Sequence, residues 1–209
     1  MFPIQVLAAY LAACVIVVLS PGPDNILALS RGLSQGKLAA ALSSVGAGTG
    51  IMVHTLAATF GLAVLLQASQ SAFWVVKALG AAYLILLGIK AIRSQGLISF
   101  APSARLPLGR IFMTGLLSNV LNPKPGLFVL AFLPQFVSAG RGSVTIQMVV
   151  YGAIFAGLTM VIFSALGASA ARLAGWLSRR PRVVSGLNLG AGLTFLAAGL
   201  SVLTLKART

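Results

Sequence analysis

The sequence predicts an all-α membrane protein of about six transmembrane helices, built as two inverted three-helix repeats with broken first helices. Three observations carry this. Of 209 residues, 58% are hydrophobic and only 8% are charged, far below the quarter usual in soluble domains. Largely apolar runs of about 18 residues or more recur along the chain, the length that a bilayer span requires. Two of these runs are interrupted by matching proline pairs, Pro21-Gly22-Pro23 and Pro123-Lys124-Pro125, which a continuous helix does not accommodate.

Segment one covers residues 4–19, breaks at 21–23 and resumes over 24–33. Leu11-Ala12-Ala13-Cys14 resembles a lipoprotein cleavage box, but no basic stretch precedes it and the apolar run continues to Leu19, so the segment reads as a span. Segment two, 38–66, carries no charge apart from His54, if that ring is protonated. A short polar link with Trp74 at an interfacial position leads to segment three, which ends near residue 92 with Lys77 and Lys90 placed to snorkel. The polar stretch 93–110, with Pro102 and Pro107, separates the halves. Segment four begins near 111, breaks at 122–125 and ends near 137. Segment five fills the uncharged interval between Arg141 and Arg172, and segment six runs over 183–205. No soluble domain is left over, so the chain reads as one transmembrane domain over 1–209, with repeat one over about 1–95 and repeat two over about 108–209.

The net charge of +14 invites a nucleic-acid reading, but Lys and Arg stand between apolar runs rather than along one face, as topology determinants do. Nucleic acid is therefore not an expected partner. The links one–two, three–four and five–six hold ten basic residues (Arg31, Lys37; Lys90, Arg93, Arg105, Arg110; Arg172, Arg179, Arg180, Arg182). The other side holds four: Lys77, Arg141, Lys206 and Arg208. The positive-inside rule then puts the richer links in the cytoplasm and both termini outside. Cys14 is alone, which excludes an intrachain disulfide, a redox pair or a cysteine metal cage.

The halves align in order. Ser20-Pro21-Gly22-Pro23-Asp24 falls on Asn122-Pro123-Lys124-Pro125-Gly126, Ala58 to Gly61 on Ser164 to Gly167, and Leu79 to Ala82 on Leu189 to Gly192, the offset growing from 102 to 110. An odd number of spans per unit makes the copies opposite in orientation, the plan of many secondary transporters, whose sites lie where broken helices meet. Asp24 lies seven residues before Arg31 and Asn122 twelve after Arg110. At the helical rise these are about 10 and 18 Å from the cytoplasmic side, so the breaks are expected to meet.

Asp24 is the only acidic residue in the chain, and its counterpart break holds a lysine in apolar sequence. Pro21, Gly22, Pro23, Asp24, Asn25, Asn122, Pro123 and Lys124 are thus the candidate substrate-binding or coupling residues, with His54 in segment two. Asp24 and Asn122 suit N-caps, and Pro123 the first helical position. Two helix N-termini at one spot would receive a substrate carboxylate. An ionised group alone at this depth is costly, so Asp24 and Lys124 are expected to compensate each other, with a zwitterion able to slip between them.

Structural alternatives stand beside each reading. Asp24 can cap its half-helix or pair with Arg31, Lys124 can reach a lipid phosphate, and His54 can be a hydrogen bond between helices rather than a proton relay. The glycines of 46–50 and the pair Gly186 and Gly190 suit close helix packing, and Tyr83 and Tyr151 suit packing or an interfacial belt.

Pro21-Gly22-Pro23-Asp24, Gly80-Ala81-Ala82-Tyr83-Leu84 with Gly88, and Asn122-Pro123-Lys124 together resemble the LysE/RhtB family of bacterial amino-acid exporters, over essentially the whole chain. The resemblance implies a multi-pass inner-membrane antiporter, not an enzyme, that expels amino acids or close derivatives in exchange for protons. It implies no cofactor. The family pattern admits Asn at the position of Asp24. The partners expected are a small amino-acid substrate, protons and the lipid bilayer; self-association into a homo-oligomer stays open. A single carboxylate favours a neutral amino acid over lysine or arginine. The rival is an inverted-repeat permease for a metal ion or another small solute, for which one Asp and one His are few ligands. No paired aspartates, HExxH or GxSxG point to catalysis.

The charge bias gives a first test. In a Cys14→Ala background, Ser71→Cys and Thr209→Cys should react with an impermeant thiol reagent added outside intact cells, and Ser103→Cys should be protected. Labelling at residue 103 alone would invert the topology.

Overall fold

The computed structural model describes residues 2–20, 22–68, 105–170 and scattered positions within 75–93 and 172–200. Most of segments three and six, and with them Trp74, Lys77, Gly80, Tyr83, Gly88 and Lys90, lie outside the described residues, as does Pro21. Every regular element among the described residues is helical. In chain order these are α1 (Ile4–Leu19), α2 (Pro23–Gln35), α3 (Lys37–Ala68), α4 (Leu108–Leu121), α5 (Pro123–Leu127) and α6 (Val144–Ala168). Between α5 and α6 the chain passes through a π turn, Phe128–Phe132, and two 3-10 turns, Leu133–Phe136 and Ala139–Arg141.

Two helices are long and apolar enough to cross a membrane, α3 over Lys37–Gly61 and α6 over Val144–Ala168, and there are four spans if each bent pair counts as one. The bent pairs are α1 with α2, turned by 63°, and α4 with the helical run Pro123–Phe136, turned by 52°. These are the two sequence-predicted breaks. At 16 residues α1 is about 24 Å long and α2 shorter still, so neither crosses the ~30 Å hydrocarbon layer alone. The outward faces are also apolar, with Leu121 78% and Val161 68% exposed, a pattern that suits lipid better than water.

Local chemistry explains the ends of the elements. Gly36 closes α2 at φ 82°, a left-handed value that a residue with a side chain adopts only with strain, and the chain turns at once into α3. The Gln35 side chain holds the start of the second half, donating to the Leu106 carbonyl (2.9 Å) and accepting from the Leu106 amide (2.8 Å). Pro134 has no amide proton to give, and the helix around it passes from π to 3-10 geometry. The buried Gln147 ties the entry to α6 by donating to the carbonyls of Ser138 (2.9 Å) and Gly142 (3.0 Å) and accepting from the Ser138 amide (3.2 Å).

The core lies between α1, α3, α6 and the π turn, around Tyr10, Cys14, Val17, Ile51, Phe128 and Phe155. Tyr10 donates to the Tyr151 carbonyl at 2.7 Å and stacks on its ring, and Phe136, Phe132 and Phe128 continue the aromatic column to Phe155. Tyr151, fully buried, is therefore a packing residue and not part of an interfacial belt.

Helix α3 lies between α4 and α6, and α2 packs on both α3 and α6. Glycines set the distances. A Cβ on Gly32 would fall on the backbone of Gly167, and one on Gly46 on the carbonyl of Phe112. Gly32→Ala should therefore force α2 from α6 and lower the stability of the solubilised protein by about 1–3 kcal/mol. Gly109→Ala, where no described atom lies within 4 Å of the added carbon, serves as the control, read by thermal unfolding in detergent.

Candidate functional site

Each break leaves helix ends without partners, and each is completed by the other. Helix α1 stops at Leu19, which strands the carbonyls of its last turn. Lys124 Nζ, from the second break, donates to the carbonyls of Ser20 (2.8 Å) and Val17 (3.3 Å). Asn25 Nδ2 donates to the Val18 carbonyl (2.7 Å). A cation at a helix C-terminus is favourable electrostatically as well as through its hydrogen bonds.

Asp24 sits in the first turn of α2, where a negative charge suits the helix dipole. Its carboxylate accepts from Ser118 Oγ at 2.7 Å, Asn119 Nδ2 at 2.8 Å and Asn122 Nδ2 at 3.1 Å, all at the end of α4 or in the second break. Three neutral donors thus surround an ion that is 5% exposed. Asn122 has a second task, its Oδ1 accepting from the Lys124 amide (3.0 Å) as the N-cap of α5, with Pro123 at the first helical position.

One expectation needs correcting. Asp24 is not an N-cap: Pro23 occupies the first helical position of α2, which makes Gly22 the cap residue and Asp24 the second helical residue. Asp24 and Lys124 share a neighbourhood without a direct hydrogen bond: the Lys124 side chain faces backbone carbonyls and the carboxylate faces amides and a hydroxyl, with Asn122 bonded to both residues.

The other candidates fall around this centre. Gly22 has extended backbone, φ −175°, so its need is space: an added Cβ would stand 2.9 Å from Lys124 Nζ. Pro23 and Pro123 are exposed. His54 Nε2 is 3.1 Å from the Asn119 carbonyl, and because a carbonyl only accepts, Nε2 carries the proton. The same ring lies over Gly126, where a Cβ would stand 2.9 Å from His54 Cε1.

Between the breaks is a small cavity of about 10 Å³, room for roughly one water. Asp24, Asn119, Lys124 and Thr159 give it a polar part, while Val17, Val18, Ile51, Pro125, Phe155 and Phe163 give it an apolar wall. Ser118, Asn119 and Thr159 did not stand out in the sequence. The signal for the first two was present, since they precede Asn122 by four and three residues in an otherwise largely apolar stretch and so share its side of the helix. Among the described residues no three His, Cys, Asp or Glu side chains gather as a metal site would require.

Comparison with known proteins gives this geometry its context. The family model described as LysE type translocator matches residues 15–206. The chain belongs to that family. A homoserine/homoserine lactone efflux protein of Salmonella typhi is 32% identical over 192 residues, covering 91% of this chain and 92% of its own. An uncharacterised membrane protein of Vibrio cholerae is 30% identical over 98% of this chain and 99% of its own. Another from Bacillus subtilis is 32% identical over 75% and 79%. No solved structure matches the chain. As a LysE type translocator, the protein is a membrane transporter, in keeping with its apolar helices.

The bridging role of Asn122 is testable. Asn122→Ala removes both the cap and a donor to a buried carboxylate, and should lower stability by about 2–4 kcal/mol. Asn122→Ser keeps a capping oxygen but is too short to reach Asp24, so it should recover about 1 kcal/mol of that loss. Chemical unfolding in detergent would measure both, and equal losses would deny the cap its part.

Proposed function

We propose that this translocator exports amino acids or close derivatives across the bacterial inner membrane in exchange for protons, and that the substrate binds where its two Pro-x-Pro breaks meet. The observation that carries the reading is that the sole acidic side chain and a buried lysine line one cavity without being paired to each other. A zwitterion supplies what each then lacks, its ammonium turned to Asp24 and its carboxylate to Lys124. The apolar wall receives a short side chain. The Salmonella relative is named for efflux of homoserine and its lactone, which is in line with such a substrate.

A cavity the size of one water holds no amino acid, so substrate entry requires the walls to part. Lys124 then has alternative acceptors: the carbonyls that end α1, or the arriving carboxylate. Exchange of one for the other would couple substrate binding to the seating of α1 against α5. Asp24 is the natural proton carrier, since substrate ammonium and proton compete for the same oxygens. In the cell both termini would face the periplasm, with the basic links in the cytoplasm.

Proteoliposomes test the reading. A screen of the common amino acids, metal ions and nucleosides, with and without a pH gradient, should show gradient-driven flux of small neutral amino acids. Asp24→Asn should abolish that flux while keeping substrate-for-substrate exchange. Full gradient-driven flux in the variant would move the proton to His54 or to the substrate, and metal flux without amino-acid flux would overturn the assignment.

A further inference from the structure

Several helical hydroxyls of this protein satisfy themselves locally. Ser44, Thr49, Thr55, Thr59 and Thr114 each donate to the carbonyl four residues earlier, at 2.6–2.9 Å, which is how a Ser or Thr inside a helix satisfies itself without outside help. Thr159, on α6, does not. Its Oγ1 is buried with no hydrogen-bond partner, in a residue 2% exposed. A buried hydroxyl without a protein partner is costly, and on a cavity wall it is left to bond whatever fills that cavity, a water or a substrate.

Its position says what arrives. Thr159 lines the cavity between the breaks, flanked one helical turn away on each side by Phe155 and Phe163. Asp24 and Lys124 belong to the opposite, broken-helix side, where they would hold the α-amino and α-carboxylate groups. That leaves the substrate side chain to meet Thr159 and the apolar lining of Ile51, Phe155 and Phe163. Apart from Thr159, the described residues on that wall are apolar.

We infer that Thr159 is a specificity-determining residue, and that it selects a small amino acid whose side chain ends in a hydroxyl over the isostere that ends in a methyl. The inference rests on the amino-acid exporter reading given above. A hydroxylated side chain pairs with Thr159 Oγ1 within an otherwise apolar wall, whereas a methyl of equal size leaves that oxygen unpartnered. Sites built to hydrogen-bond a substrate hydroxyl discriminate in this direction because the loss falls on a buried polar group.

Counterflow in proteoliposomes compares L-homoserine with L-norvaline and L-threonine with L-valine, each a hydroxyl-for-methyl pair. The intact protein should prefer the hydroxylated member by about tenfold, the value of one neutral hydrogen bond. Thr159→Val, an isosteric change, should reduce that preference to within about twofold, and Thr159→Ser should keep it. Thermal stability of Thr159→Val should be equal or higher, since the variant removes an unpartnered polar atom, which separates loss of selectivity from loss of folding. Flux of both members with no preference, or a preference that Thr159→Val leaves intact, overturns the role of Thr159 and leaves the exporter reading standing. Flux of neither, under conditions where another solute is carried, removes the exporter reading and this inference together.

Discussion

A carboxylate and an ammonium are buried at the meeting point of two broken helices, and the surrounding arrangement depends on how each is kept solvated without water. Asp24 draws its three donors from α4 and the second break, and Lys124 draws its acceptors from the end of α1. Each charge therefore finishes the hydrogen bonding of the other half of the chain. A buried ion without such partners costs several kcal/mol, so parting the two halves at this crossing carries a specific penalty. Helix ends add to it, since the negative group lies at an N-terminus and the positive group at a C-terminus.

The crossing requires a close approach, and small residues provide it at every level. Gly22 leaves room for the Lys124 ammonium, and Gly126 leaves room for the His54 ring. In the alignment of the two breaks these glycines stand opposite the charged residues: Gly22 falls on Lys124, and Asp24 on Gly126. The Lys124 ammonium of one break thus fits against Gly22 of the other, while Gly126 faces His54 rather than Asp24. Farther out, Gly32 against Gly167 and Gly46 against α4 bring whole helices to backbone contact. The aromatic column that begins at Tyr10 ends at Phe155, which lines the cavity.

Much of this was legible in the sequence because proline and glycine act locally. The two Pro-x-Pro motifs announce helix breaks whatever surrounds them, and the apolar runs between basic clusters announce spans. The meeting of the breaks followed from counting residues back to Arg31 and Arg110. Partner choice was less legible. A lone acid and a lysine in apolar sequence suggest mutual compensation, but they do not show that short polar side chains and backbone carbonyls supply the direct hydrogen bonds of both. Ser118 and Asn119 are signalled only by their four- and three-residue spacing to Asn122, which puts them on its side of the helix without saying what that side faces. The misplaced cap at Asp24 came from reading residue preference without the proline beside it, since Pro23 at the first helical position moves the cap to Gly22. The six-helix inverted repeat itself involves segments three and six, which lie largely outside the described residues.

That a single acidic side chain sits at the centre of this network has a spectroscopic consequence. In most proteins the infrared band of a protonated carboxyl is a sum over dozens of overlapping groups and is assigned only by mutation. Here Asp24 is the one side chain able to produce it, and the only other source in the chain is its terminal carboxyl. The chain is in effect its own vibrational label. Difference spectra between states would report directly on whether this carboxyl holds a proton, and the position of the band on how many of its three donors remain.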